Sequence, residues 1–102
     1  MENNQLDTEQ ISLNVNQSTQ IDLIGLGTAG YQWTYKGENL DILKIEHSYI
    51  TSKKVEAGGQ GIERFSIIAL KPGKCLIEFK QARSWEKDKK PLREKKYIIE
   101  VH

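Results

Sequence analysis

The sequence predicts an all-β domain, an antiparallel sandwich of seven or eight short strands. Three observations carry that expectation. Apolar residues recur at every second position through most of the chain, helical periodicity is almost entirely missing, and turn signals punctuate the alternating runs. A parallel sheet would need crossover connections, usually helical, and that spacing is not present.

The elements follow in order. Ile11, Leu13 and Val15 alternate with polar residues as a first strand, and Asn16-Gln17-Ser18 is a turn. Ile21 and Leu23 mark a second strand. Tyr31, Trp33 and Tyr35 alternate with Gln32 and Thr34, a strong strand signal because aromatic rings suit a pleated, half-buried surface. Lys36-Gly37-Glu38-Asn39 reads as a turn. The isoleucine-rich segment Leu40 to Thr51 is expected to hold two short strands. Ile62 to Leu70 is a further strand, with Phe65, Ile67 and Ala69 on one face. Lys71-Pro72-Gly73-Lys74 is a tight turn, in which proline presets one dihedral and glycine accepts a positive φ. Cys75, Ile77 and Phe79 alternate in the returning strand, and Tyr97, Ile99 and Val101 close the chain.

The 102 residues fit one domain spanning 1–102, with residues 1–9 expected to form a flexible arm. Apolar residues make up 37% and charged residues 28%, ordinary for a globular domain. A net charge of +1 provides no global field toward nucleic acid or anionic lipid. Cys75 is the sole cysteine, so no internal disulfide forms and stability comes from packing. In register with Ile77 and Phe79, it reads as a small buried hydrophobe. No apolar run is long enough to span a membrane. Met1 to Gln10 is polar and acidic, without the apolar core of a signal peptide. Localisation stays open: periplasmic or secreted if a leader has been removed, otherwise cytoplasmic.

Three connections break the rhythm: Gly25 to Gly30, Ser52 to Gly61, and Ala82 to Leu92. In an immunoglobulin-like sandwich with strands lettered in order, these are the B–C, D–E and F–G connections, which collect at one end. Irregular loops gathered on a rigid scaffold make a binding surface. From spacing alone, Gly25, Gly27, Gly58 and Gly59 also fit ordinary turn glycines, and Arg83 a solvated charge. Trp33 reads as core. Trp85, between charged neighbours in a polar loop, is harder to place in a core and leans toward contact.

Within these connections the chain resembles the chagasin family of cysteine-peptidase inhibitors. That family carries an Asn-Pro-Thr-Thr-Gly loop, a Gly-x-Gly-Gly loop and an Arg-Pro-Trp loop, in that order. Here they correspond to Leu26-Gly27-Thr28-Ala29-Gly30, Glu56-Ala57-Gly58-Gly59 and Arg83-Ser84-Trp85. The departures are Leu26, Gly27, Ala29, Glu56 and Ser84. Tyr31-Gln32-Trp33 matches an aromatic-x-Trp strand start that the family shares.

The resemblance implies a reversible, competitive inhibitor, monomeric when free, whose partners are papain-like cysteine peptidases. It assigns peptidase contact to Gly27, Thr28, Ala29, Gly30, Ala57, Gly58, Gly59, Arg83 and Trp85. No cofactor and no catalytic residue are implied. The residues agree: no nucleophile–base pair or carboxylate pair stands out, and His47 and His102 have no metal-ligand partner at useful spacing. Gly25-x-Gly27-x-x-Gly30 formally fits a dinucleotide fingerprint, but an aromatic strand follows it rather than a helix. The cystatin signature Gln-x-Val-x-Gly is absent. A structural or adhesive immunoglobulin-like module is the competing expectation; it shares the fold but has no need of three motifs on one edge.

Overall fold

The structure, a computed structural model, describes residues 8–25, 30–50, 61–86 and 89–102. Seven strands are present among them: β1 (Thr8–Leu13), β2 (Ser18–Gly25), β3 (Tyr31–Glu38), β4 (Leu43–Ile50), β5 (Gly61–Ala69), β6 (Gly73–Arg83) and β7 (Arg93–Val101). They form two sheets, one ordered β1-β7-β6-β3 and the other β2-β5-β4. This is the expected all-β sandwich.

The period-two pattern explains the burial. Phe65, Ile67 and Ala69 on β5 are buried, as are Cys75, Ile77 and Phe79 on β6 and Tyr97, Ile99 and Val101 on β7. With Leu13, Ile21, Leu23, Trp33, Ile42 and Leu43 they form one core. Its centre is aromatic: the Phe65 and Phe79 ring centroids lie 4.8 Å apart, and Tyr97 meets Phe79 edge-on at 5.7 Å. Each fully buried side chain of this size stabilises the fold by about 1.5–3 kcal/mol. Gly73, the first residue of β6, adopts φ 148° as the chain leaves the turn, the positive angle that its sequence position requires.

Several local expectations are corrected. Leu40 to Thr51 does not hold two strands: Leu40–Ile42 form a 3₁₀ turn and a single strand follows. The 3₁₀ turn directs Ile42 into the core, which a strand in that position would not do for both Ile42 and Leu43. The expected turn at Lys36 to Asn39 begins only at its last residue, because β3 keeps its pairing with β6 as far as Glu38 opposite Leu76. Asn39 then makes the turn at φ 61° and anchors it by donating from Nδ2 to the Lys74 carbonyl at 3.0 Å. Thr8 and Glu9, expected in a flexible arm, belong to β1.

One pairing is not antiparallel. β1 runs parallel to β7, in register from Thr8 opposite Lys96 to Leu13 opposite Val101. A parallel pair needs a long crossover, and here the whole intervening chain supplies it.

Candidate functional site

The strand registers bring the roots of the three irregular connections to one end of the sandwich. Gly25, the last residue of β2, stands opposite Gly61, the first of β5. Ile50 at the end of β4 stands opposite Ile62, and Tyr31 at the start of β3 opposite Arg83 at the end of β6. Gly27, Thr28, Ala29, Ala57, Gly58 and Gly59 lie outside the described residues. Gly30, Arg83 and Trp85 lie within them and come together.

Arg83 belongs to β6 rather than to the loop, and strand pairing fixes its backbone. Its guanidinium sits 4.4 Å from the centroid of the Tyr31 ring and 5.9 Å from that of Trp85. Such cation–π contacts contribute about 0.5–1 kcal/mol at exposed sites. Arg83 Nη1 also meets Glu86 Oε2 at 3.3 Å, and Lys89 Nζ reaches the same oxygen at 3.6 Å. The Glu86 amide donates to the Arg83 carbonyl at 3.1 Å, which curls the chain into a turn and lifts Trp85 outward. The Leu92 amide donates to the Gln81 carbonyl at 2.7 Å and closes the connection at its base. Beside it lies a concavity of about 260 Å³ lined by Tyr31, Arg83, Glu86, Pro91 and Leu92 among others.

Trp85 is 67% exposed, the most exposed large apolar side chain among the described residues. Its indole is nevertheless seated. The six-membered ring covers Gly30, where an added Cβ would overlap Cη2 and stand 3.1 Å from Cζ2. Gly30 has φ 86°, a backbone angle that glycine tolerates and other residues rarely adopt. The last residue of the first motif is therefore the floor beneath the last residue of the third.

Beneath this edge lies a polar layer that sequence reading missed. Glu63 is only 1% exposed, and Gln81 is fully buried. His47 Nε2 donates to Glu63 Oε1 at 2.8 Å, and the Trp33 amide reaches the same oxygen at 3.4 Å. The Ile24 carbonyl accepts from both Trp33 Nε1 at 2.9 Å and Gln81 Nε2 at 3.0 Å, tying the two sheets together at the root of the first connection. Glu63 Oε2 and Gln81 Oε1 are buried without a hydrogen-bond partner among the described residues. A signal was available: Glu63 is in phase with Phe65, Ile67 and Ala69, and Gln81 with Cys75, Ile77 and Phe79. Tyr31 and Glu86 were missed as well: pairing across strands sets the first contact with Arg83, and the turn after β6 sets the second. Among the described residues, no group of three or more His, Cys, Asp or Glu is placed to hold a metal ion.

The family description that matches this chain is the chagasin family peptidase inhibitor I42, over residues 12–101. The chain belongs to the chagasin family of peptidase inhibitors. Its match spans all three motif segments and every strand except the start of β1. The chagasin fold is also what solved structures show. The crystal structure of the cysteine protease inhibitor EhICP2 from Entamoeba histolytica is similar at a TM-score of 0.84 and 23% identity, covering 96% of this chain and 90% of that one. The solution structure of Amebosin is similar at 0.69 and 21% identity, covering 91% and 88%. PbICP-C, solved in complex with falcipain-2, is similar at 0.59 and 26% identity, covering 93% and 86%. No curated protein matches the chain by sequence. As a member of an inhibitor family, the protein binds peptidases and does not turn over substrate.

Proposed function

We propose that this chain inhibits papain-like cysteine peptidases reversibly and competitively, by lowering the loop end of its sandwich into the active-site cleft. One observation supports the reading: Trp85 is exposed to solvent yet seated on Gly30, so the last residue of the third motif already rests on the last residue of the first. A side chain held in place loses little entropy on binding, and tryptophan and arginine are the residues most often found at binding hot spots.

In this reading Trp85 and Arg83 meet the prime side of the cleft, Arg83 being aimed by Tyr31 and Glu86. Thr28 lies nearest the catalytic cysteine–histidine pair. It blocks the thiolate without being cut, because attack needs reacting atoms roughly 3–3.5 Å apart and aligned. Gly58 and Gly59 let the second connection pair along the non-prime side as a substrate strand does. The site on each partner is expected to bury about 800 Å².

Initial-rate assays against papain and several cathepsin-type enzymes test this. The expected result is an apparent KM that rises with inhibitor while kcat holds, with serine peptidases unaffected. Full activity of all these enzymes at micromolar inhibitor overturns the reading.

A further inference from the structure

We infer that three isoleucines on the outer face of the β2-β5-β4 sheet form a second contact surface for the peptidase, beyond the three loops. The inference rests on the inhibitor reading above and names a further part of its interface.

Ile24 on β2 stands opposite Ile62 on β5, and Ile62 stands opposite Ile50 on β4. Leu23 and Glu63, chain neighbours of Ile24 and Ile62, are buried, so by strand alternation those two isoleucines point away from the core, and Ile50, paired with Ile62, lies on the same face. They are 47%, 38% and 37% exposed and make one continuous apolar row across the sheet. The next row along the same face is Asp22, Arg64 and Ser48, in which Arg64 Nε and Nη2 donate to the two Asp22 carboxylate oxygens at 2.8 and 2.9 Å. The row after that is Gln20, Ser66 and Glu46. Ser18, Ile68 and Lys44 make the row beyond, so the face carries one isoleucine at its far end, two polar rows, and then three isoleucines together at the loop end. An apolar centre bordered by paired polar groups is the anatomy of a protein contact surface.

Position chooses the occupant. The third connection joins two strands of the β1-β7-β6-β3 sheet, the first passes between the sheets, and the second joins two strands of the β2-β5-β4 sheet. The three roots thus run in line across the end of the sandwich, and the outer face of the second sheet is next in that line. Ile24, Ile50 and Ile62 are themselves the stems of the first and second connections. A peptidase holding those connections meets the isoleucine row as a continuation of the same surface, on the non-prime side.

The test is the triple variant Ile24→Thr, Ile50→Thr and Ile62→Thr, which keeps β-branching and strand propensity while removing apolar surface. The expected result is a tenfold or greater rise in the inhibition constant, carried by faster dissociation, at an unchanged melting temperature. Parent-like inhibition by the triple variant overturns the inference while leaving the inhibitor reading intact. A parent chain that inhibits no papain-like enzyme overturns both. A loss of inhibition matched by an equal loss of stability also overturns it, since the row would then act only through the sheet. So does a concentration-dependent dimer in sedimentation equilibrium that the triple variant abolishes without changing inhibition, because the row would then serve a second copy of the chain.

Discussion

The Trp85 indole rests on the bare α-carbon of Gly30, two residues more than fifty positions apart that belong to different motifs. The contact requires glycine twice over, once for the space under Cη2 and once for φ 86°. Gly30→Ala is therefore expected to displace the indole and to strain the backbone by about 1 kcal/mol. Inhibition constants are expected to rise about tenfold or more while the protein stays folded. Tryptophan emission provides an independent readout, because Trp33 is buried and contributes a constant background.

Removing the indole itself ranks the loops. Trp85→Ala is expected to weaken binding by about 2 kcal/mol or more, since it deletes the largest apolar side chain on the edge. Thr28→Ala removes one hydroxyl and one methyl and is expected to cost about 0.5–1.5 kcal/mol. Melting temperatures of both variants are expected to match the parent. Parent-like inhibition by Trp85→Ala would reverse the ranking.

Glu63 and Arg64 are adjacent in sequence and opposite in consequence. Glu63→Ala strips a buried acceptor from His47 and Trp33 and leaves a cavity, and is expected to cost about 2–4 kcal/mol in urea denaturation. Arg64→Ala breaks an exposed pair with Asp22 and is expected to leave the denaturation midpoint where it was. Equal effects from the two would contradict the burial pattern.

The Cys75 thiol is held in the core, and burial first, with the Asp41 charge second, pushes its pKa up to about 11. A thiol reagent at pH 8 is expected to label it slowly in native protein and rapidly in denaturant. The unfolded thiol ionises near roughly pH 8.5, so the folded state favours the protonated form. Its contribution to stability is complete below that pH and is expected to fade as pH rises toward about 11. Cys75→Ser is expected to lower stability by about 1–3 kcal/mol without changing inhibition.

How much of this was legible depends on the length scale. Alternation placed Trp33, Phe65, Cys75 and Ile99 inside, because period-two burial is a local property of a strand. The same rule reached Glu63 and Gln81, yet their polarity argued against burial, and only the facing His47, Trp33 and Ile24 groups show what offsets it. The Leu40–Ile42 3₁₀ turn was hidden because a short apolar run reads alike in a strand and in a tight turn. The motif residues Arg83 and Trp85 were found by resemblance. Their joint seat on Tyr31 and Gly30 depends on strand register and on a chain crossing that no local pattern encodes.

The position of β7 has a consequence for how the molecule comes into being. Strand β7, which follows the other six described strands in the chain, lies in the interior of its sheet, between β6 and β1. A nascent chain emerging from the ribosome carries β1 with its pairing partner still unsynthesised, so that sheet cannot be completed until Val101 is free of the exit tunnel. The edge formed by Gly30, Arg83 and Trp85 sits on β3 and β6 of the same sheet. Vectorial synthesis therefore makes the β3–β6 pair under that edge available before β7 arrives to close the rest of the sheet.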